Sequence, residues 1–329
     1  MRLLWIVMGC WALAASAQPK HKGVCWVGGR EVVTATQVQA AKDAGITWLS
    51  QTPFGWQDSA DSPVVKSNTG TRVWWGESDE GLMATLQLAQ AHGIQTLLKP
   101  HLWLRQGWPG DIAMKNEADW KQWFASYETF ILHYAALAQR GRVPIFCIGT
   151  ELQKTTVREA EWRSLIAKIR KVYTGKLTYA ANFHQEFEQI RFWDALDYIG
   201  IQAYFSLCVK EAPTLAELQQ GWKTPLAAIE AVHHRFKKPV IFTEIGYRST
   251  ADAAREPWRW PQASDRERIS EDAQAACYEA FFQQVWTKKW LAGVYFWKWY
   301  PQPGHRLHAV DFTPQQKKAE AVLKKWFSL

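Results

Sequence analysis

The chain has 329 residues, of which 47% are hydrophobic and 21% are charged, and its formal net charge is +8. This composition excludes an intrinsically disordered chain, which would have few aromatic residues and more charge, and it excludes a collagen-like repeat. The positive charge is spread along the chain without a run of five Lys or Arg residues, so no nucleic-acid partner is expected.

The N-terminal segment has the pattern of a secretory signal peptide. Arg2 supplies a positive charge, residues 3–15 form a short apolar stretch, and an A-x-A cleavage site ends at Ala17. We expect cleavage there, a secreted or periplasmic protein, and a single catalytic domain over residues 18–329. The apolar stretch before Cys10 is too short for a lipoprotein signal. Later segments lack 18 consecutive apolar residues, so no membrane span is expected in the mature chain.

Short apolar runs alternate with segments of helical length from residue 23 onward. The predicted strands are residues 23–27, 47–51, 95–100, 144–149, 177–181, 198–203, 239–243 and 293–297. The predicted helices are residues 35–44, 80–92, 117–139, 159–173, 215–235, 270–289 and 314–327. Strands that alternate with helices predict a parallel sheet that is covered on both faces.

Eight such strand–helix units in about 300 residues predict an α/β fold, a single-domain (β/α)₈ TIM barrel. A doubly wound open sheet is the competing architecture. The first predicted strand is not followed by G-x-G-x-x-G, which disfavours a dinucleotide-binding version of that open sheet.

Two glutamates close predicted strands, at the end of the barrel where such folds place their chemistry. Glu151 follows the apolar run 145–150, and Glu244 follows the run 240–243. A buried carboxyl group is costly unless it is paired, hydrogen-bonded or protonated, so either residue alone could belong to a structural ion pair. Together they suit retaining glycoside hydrolysis, in which one carboxyl group protonates the leaving oxygen and the other attacks the anomeric carbon.

The residue types do not decide which glutamate has which role. Lys99, His101 and Lys298 stand at other strand ends and could separate the two carboxyl groups electrostatically. A lysine in an apolar barrel strand is also what a Schiff-base aldolase requires, so Lys99 and Lys298 leave that activity open as an alternative.

Around these residues the sequence resembles glycoside hydrolase family 113, whose characterised members are mainly β-1,4-mannanases on (β/α)₈ barrels. The similar stretches occur in order through nearly the whole mature chain. They are G-V-C-W-V-G-G (23–29), L-K-P-H-L-W-L (98–104), G-W-P-G-D-I (107–112), I-G-T-E-L (148–152), L-T-Y-A-A-N-F (177–183), F-W-D-A-L-D-Y-I-G-I-Q-A-Y-F (192–205), F-T-E-I-G-Y-R-S (242–249) and F-W-K-W-Y-P (296–301).

The resemblance implies a retaining glycoside hydrolase that resembles endo-β-1,4-mannanases, with Glu151 as the acid/base and Glu244 as the nucleophile. It also implies that the Tyr204 hydroxyl contacts the nucleophile and that the Trp297 ring lies under the reacting sugar. One position, Thr150, departs from the pattern of the wider superfamily.

That position is the residue before the acid/base, where most of the superfamily has an asparagine that reaches the sugar 2-hydroxyl. Here the residue is Thr150, and Asn182 at the end of the fifth strand could supply the missing amide. Recognition of the 2-hydroxyl is therefore left open.

The count of 21 tryptophans is high, and ten of them fall at strand ends or in the loops that follow, where we expect some to stack on pyranose rings. They are Trp26, Trp56, Trp74, Trp75, Trp103, Trp108, Trp258, Trp260, Trp297 and Trp299. Eight other tryptophans lie in helical segments and are assigned to packing, namely Trp120, Trp123, Trp162, Trp193, Trp222, Trp286, Trp290 and Trp326. The predicted substrate-binding residues are Trp26, Lys99, His101, Trp103, Trp108, Asn182, Tyr204, Trp297 and Lys298.

Two more functions fit the sequence: a retaining β-glycosidase acting on another β-linked glycan, such as a β-glucan or an oligosaccharide, and a sugar-binding barrel without catalysis. The presence of both glutamates disfavours the latter. His305 and His308 lack a matching Cys or carboxylate motif, so no metal and no cofactor are expected. We expect a monomer that binds a β-linked polysaccharide or oligosaccharide. Four cysteines are expected to be buried free thiols, namely Cys25, Cys147, Cys208 and Cys277.

Overall fold

The computed structural model describes residues 19–67 and 73–329, so the predicted signal segment lies outside the described residues. The strands are β1 (His21–Trp26), β2 (Trp48–Gln51), β3 (Phe54–Gln57), β4 (Lys66–Ser67), β5 (Gln95–Leu98), β6 (His101–Leu104), β7 (Ile145–Thr150), β8 (Lys176–Asn182), β9 (Ile199–Gln202), β10 (Val240–Ile245) and β11 (Leu291–Trp299). The helices are α1 (Ala35–Asp43), α2 (Asp79–Ala91), α3 (Glu117–Arg140), α4 (Glu159–Val172), α5 (Glu186–Gln189), α6 (Leu215–Gly221), α7 (Lys223–Phe236), α8 (Glu271–Phe281) and α9 (Lys318–Phe327).

Eight of these strands close into a parallel barrel in the order β1-β11-β10-β9-β8-β7-β5-β2. All residues of β7 and β10 are buried, because the barrel interior covers one face and the helices cover the other. The eight strands predicted from the sequence are these eight, so the predicted (β/α)₈ barrel is confirmed and the open sheet is excluded.

The helices bury one apolar stripe each against the barrel. In α4 that stripe is Trp162, Leu165, Ile166 and Ile169, at the spacing of three and four residues that a helix face requires. Trp123, Trp162, Trp193 and Trp222 are fully buried, so the prediction that tryptophans outside the loops pack the core is confirmed for them.

The α-helix predicted over 270–289 ends at Phe281 and is followed by a π-helical segment, Phe282–Trp286. Two more predicted helices differ from the structure. The segment predicted as one helix over 215–235 is two, α6 and α7, that meet at Trp222. The helix predicted to begin at Pro314 begins at Lys318 instead. Gln316 has φ 59°, in the left-handed region, so the chain before Lys318 turns and cannot continue a right-handed helix.

A second sheet, not predicted, stands beside the barrel with strand order β4-β3-β6. Strand β3 follows β2 after Pro53, and β6 follows β5 after Pro100, so two barrel strands continue beyond a proline into this accessory sheet. Its inner face packs on α3, where the Phe130 ring would lie 2.5 Å from a Cβ atom added at Gly55. The Trp123 indole N–H also donates a 2.9 Å hydrogen bond to the Gln57 side chain.

The described cysteines are free thiols, with Cys25, Cys147 and Cys277 buried and Cys208 half-buried. In the described part of the chain, no helix combines the length and the apolar character that a membrane span needs. Residues 19–67 and 73–329 also contain no group of three His, Cys, Asp or Glu side chains arranged to hold a metal ion.

Candidate active site

A cleft of about 800 Å³ opens at the carboxyl ends of the barrel strands, within the size range of ligand sites in proteins. Both predicted glutamates, Glu151 and Glu244, line it, together with Asn182 and Tyr204. The structure therefore brings the ends of four different barrel strands to one site.

Glu151 lies directly after β7 with φ 51°, a left-handed conformation that is uncommon for a residue with a side chain. Its Oε2 accepts a 3.1 Å hydrogen bond from the Trp108 indole N–H, and its Oε1 accepts a 2.7 Å bond from the Asn182 amide. Burial raises the pKa of Glu151, and the nearby charge of Glu244 raises it further, whereas the two hydrogen bonds oppose this shift. The site thus favours the protonated form of Glu151.

Glu244 lies in β10 and is 4% exposed. Its Oε1 contacts the Nζ of Lys99, and its Oε2 accepts a 2.7 Å hydrogen bond from the Tyr204 hydroxyl. Burial alone would lower the pKa of Lys99, but the Glu244 carboxylate outweighs that effect, and the pKa of Lys99 is raised. Lys99 is therefore a buried ammonium group that directly faces Glu244.

Two further ionisable groups beside Glu244, His101 and Tyr204, are held neutral. The Nε2 of His101 is 3.6 Å from the Glu244 Oε1, and burial together with the Lys99 charge lowers the pKa of His101 well below 6.5. Burial and the Glu244 charge raise the pKa of Tyr204 well above 10, so its hydroxyl keeps the proton that it donates. The one positive charge that contacts Glu244 among the described residues is that of Lys99.

The sequence model of Glycoside Hydrolase Family 113 matches residues 29–327 of the chain. This chain belongs to glycoside hydrolase family 113. The family and the class of enzyme predicted from the sequence are thereby confirmed: it is a glycoside hydrolase.

Solved structures of the family agree with this fold over almost their full length. The chain is similar to the GH113 β-mannanase AaManA from Alicyclobacillus acidocaldarius in complex with ManMIm, with 28% identity, coverage of 95% of this chain and 99% of that chain, and a TM-score of 0.81. It is also similar to a GH113 β-1,4-mannanase complex, with 25% identity, coverage of 94% and 99%, and a TM-score of 0.80.

A β-glucuronidase from Ruminococcus gnavus has only 12% identity and a TM-score of 0.63, with coverage of 94% of this chain and 50% of that chain, so it shares the fold alone. A search of curated proteins gives no match.

In this glycoside hydrolase, six of the nine predicted substrate-binding residues line the cleft. They are His101, Trp103, Trp108, Asn182, Tyr204 and Trp297. Trp26 does not line it, because its ring is 3% exposed and packs in the core between barrel and helices. The sequence placed Trp26 correctly at the end of a barrel strand. It did not predict on which face of the barrel the side chain lies.

The two predicted lysines also lie outside the cleft lining, behind the surface that faces solvent. Lys99 is 0% exposed and engaged with Glu244, and its raised pKa is the opposite of what a Schiff-base lysine needs. The Nζ of Lys298 is 3.6 Å from Asp311 Oδ1 and lies 5.0 Å from the Trp260 ring centroid. Burial lowers the pKa of Lys298, but its side chain is buried against Asp311 and the Trp260 ring. Lys99 is thus held as an ammonium group and Lys298 lies outside the cleft lining, so neither presents a free amine to a substrate in the cleft.

Asn182 lines the cleft, but its amide is committed to protein partners. Its Nδ2 donates to Glu151, and its Oδ1 accepts a 2.8 Å hydrogen bond from the His184 backbone N–H. The Thr150 hydroxyl donates a 3.3 Å bond to the Pro100 carbonyl. The residue that would replace the missing asparagine amide thus orients Glu151 in this structure.

Glu186 is a buried acid beneath Glu151 that the sequence did not reveal. Its two carboxyl oxygens accept hydrogen bonds from the Tyr179 hydroxyl at 2.5 Å and the Asn182 backbone N–H at 2.6 Å, and the Tyr179 oxygen accepts one from the Leu152 N–H at 2.7 Å. Burial raises the pKa of Glu186 to about 8. Glu186 and its hydrogen bonds thus link the end of β7 to the end of β8. In the sequence, only the spacing of four residues between Asn182 and Glu186 could have suggested this contact.

Two further rings, Trp258 and Trp260, reach the cleft from the long loop that follows β10. The guanidinium of Arg248 is fully buried in that loop and pairs with Asp252 at 3.3 Å and with Asp265 at 3.1 Å. This buried cluster fixes the loop, and so the two rings, on the barrel. Cleft-lining residues that the sequence did not identify include Phe54, Phe183, His184, Gln202 and Phe312.

Proposed function

We propose that this enzyme is a retaining β-glycanase that hydrolyses β-1,4-linked mannan or a mannan-like polysaccharide. The observation that carries the proposal is the pair of carboxyl groups in one cleft, one hydrogen-bonded by neutral donors and the other in contact with the Lys99 ammonium group. The substrate class is supported by the family and by the β-mannanases to which the chain is similar.

In the proposed first step, protonated Glu151 donates its proton to the glycosidic oxygen while the Glu244 carboxylate attacks the anomeric carbon. The bond from the anomeric carbon to that oxygen breaks, the leaving sugar departs with the proton, and a glycosyl ester forms on Glu244. In the second step, Glu151 removes a proton from water, which displaces Glu244 from the anomeric carbon. Two displacements give net retention.

The neighbouring residues prepare each group for its role. Lys99 and the Tyr204 hydroxyl stabilise the carboxylate of Glu244 before attack and again when it leaves. Burial keeps Glu151 protonated at the start, and loss of the negative charge of Glu244 in the ester then lowers the pKa of Glu151, which suits it to act as a base.

The experiment is to incubate the purified enzyme with a panel of β-mannans, β-glucans and xylans and to follow the anomeric protons of new products by NMR. We expect cleavage of β-mannan with the β-anomer formed first. Glu244→Gln is the control and should be folded and inactive. Cleavage of β-glucan alone would replace the proposed substrate by a β-glucan, and initial α-anomer would refute retention.

We also propose that residues 1–17 direct export and are removed after Ala17. N-terminal sequencing of the protein recovered from the producing cells tests this. A mature chain that begins at Gln18 is expected, and a retained Met1 would contradict it.

A further inference from the structure

We propose that the exposed face of the accessory sheet is a second sugar-binding surface that extends the cleft and takes the same β-linked glycan chain further from the site of cleavage. This surface, the aromatic strip, consists of Phe54, Trp56, His101 and Trp103. The inference rests on the proposed function, since it concerns the substrate that the cleft would hold.

The strip arises from the alternation of side chains in β3 and β6. The two strands are parallel, with Phe54 beside His101 and Trp56 beside Trp103. Alternate residues point to opposite faces, so these four rings share one face while Gly55 and Gln57 face α3. Trp56 and Trp103 are 42% and 44% exposed, which is far more than packing would leave for two such large apolar rings.

The strip is continuous with the cleft. His101 is 3.6 Å from Glu244, and Phe54 and Trp103 both line the cleft. Trp56 lies outside the cleft lining but meets Trp103 edge to face, with 6.3 Å between ring centroids. A chain bound at Glu244 that leaves along this face therefore meets Trp103 first and Trp56 next.

The strip is also rigid and has polar groups at its edge. Phe130 packs on Gly55, and Trp123 holds Gln57, so the backbone of β3 is fixed from behind. Lys66 stands opposite Trp56 in the antiparallel register and pairs with Asp58 at 2.5 Å.

An apolar ring with charged donors and acceptors beside it suits a pyranose, whose C–H face stacks while its hydroxyl groups bond at the ring edge. A helix of a protein partner would instead need a broad apolar groove, and a membrane would need a larger apolar patch with basic residues around it. The strip is narrow, and Lys66 is paired with a carboxylate, so we commit to a glycan chain as the occupant.

The test compares Trp56→Ala with the wild-type enzyme on a long soluble β-mannan and on mannotetraose. We expect kcat/KM on the polymer, relative to that on the tetrasaccharide, to fall by about threefold to tenfold, which is the factor that one aromatic contact contributes. The loss should appear mainly in KM. Trp56→Phe should restore most of it, because Phe keeps a flat ring.

Trp74→Ala is the matched control, since Trp74 is 45% exposed, contacts Arg30 and lies outside the cleft lining. It should keep the wild-type ratio. An unchanged ratio in folded Trp56→Ala, or an equal loss in Trp74→Ala, overturns the inference and leaves the proposed function standing.

If the wild-type enzyme cleaves another β-glycan of the panel, the same ratio is measured on that polymer and its tetrasaccharide. If it cleaves none, binding is measured instead, as the retardation of the enzyme in native gels that contain each polymer. Weaker retardation of Trp56→Ala than of Trp74→Ala then supports the aromatic strip even though the proposed function has failed, and equal retardation overturns it.

Discussion

The surroundings of Glu151 and of Glu244 differ in charge although the two side chains are identical. Glu151 receives hydrogen bonds from two neutral groups, the Trp108 indole and the Asn182 amide. Glu244 receives one from the Tyr204 hydroxyl and contacts the Lys99 ammonium group. Burial raises the pKa of Glu151, and the two neutral donors oppose that shift only in part, whereas a buried cation compensates a carboxylate directly.

The difference supports the proposed roles, in which one cleft holds an acid and a nucleophile of the same residue type. The charge that distinguishes the two surroundings is that of Lys99, which follows β5 and contacts Glu244. Variants that change the side chains around one glutamate test whether the function of the other glutamate changes as well.

The largest effect is expected when either carboxyl group is removed. Glu244→Ala and Glu151→Ala should each lose about a thousandfold or more in kcat, because each loses a group that forms or breaks a bond. Added azide should restore turnover of Glu244→Ala with an inverted α-glycosyl azide, and it should give a β-glycosyl azide with Glu151→Ala. NMR of the azide product distinguishes the two, and the reverse pattern would exchange the assigned roles.

Lys99→Met should lower kcat/KM by about a hundredfold and destabilise the fold by about 3–5 kcal/mol, since it leaves a buried carboxylate without its cation. The Glu244 carboxylate would also lack the ammonium group that stabilises it before attack and again when it leaves. Urea denaturation and kcat/KM measure the two effects.

Lys298→Met is the control for this change, because its buried amine pairs with Asp311 and not with Glu244. It should cost stability but lower kcat/KM much less. A loss of kcat/KM in folded Lys99→Met no larger than that in Lys298→Met would show that Lys99 only supports the fold.

The sequence predicted the barrel and both glutamates because each depends on local pattern. The runs before Glu151 and Glu244 are apolar except for the threonine that ends each, and a barrel puts the residue that follows such a run at its catalytic end. The partner of Glu244 could not be predicted in the same way. Lys99 is 145 positions away in sequence, and only closure of the barrel brings them together.

The accessory sheet and Glu186 were missed for a related reason. Strands β3 and β6 have four residues each and are more than forty positions apart in sequence, so no short sequence pattern predicts that they pair. Glu186 begins the short helix α5 and looks like an exposed acid in sequence. Its burial follows from Tyr179 and Asn182, which β8 places around it.

Tyr204→Phe should lower kcat by about tenfold, because it deletes a hydrogen bond to a charged group, which is worth about 1.5–3 kcal/mol, part of which water can replace. The fold should stay intact, since the ring remains. Tyr247→Phe is the matched control, because the Tyr247 hydroxyl is buried and has no hydrogen-bond partner in the described part of the chain. Equal kcat in both variants would contradict a contribution of the Tyr204 hydroxyl.

The smallest effect is expected on the Glu151 side. Trp108→Phe keeps a ring in the cleft but removes the 3.1 Å indole hydrogen bond to Glu151. That bond favours the carboxylate form, so its loss raises the pKa of Glu151 further. Glu151 must be protonated to act as the acid, and the alkaline limb of kcat/KM should therefore move to higher pH by about half a unit, the equivalent of one modest hydrogen bond.

Trp260→Phe, which changes a cleft ring without a bond to Glu151, should leave that limb in place. Trp108→Phe, Trp260→Phe and Lys99→Met together test whether a change around one glutamate leaves the other glutamate unaffected. Because the charge of Glu244 also raises the pKa of Glu151, some coupling is built into the site. If Trp260→Phe moved the alkaline limb as far as Trp108→Phe does, the shift would come from the change of a ring in the cleft and not from the lost indole hydrogen bond, and the neutral donors would not control the protonation of Glu151.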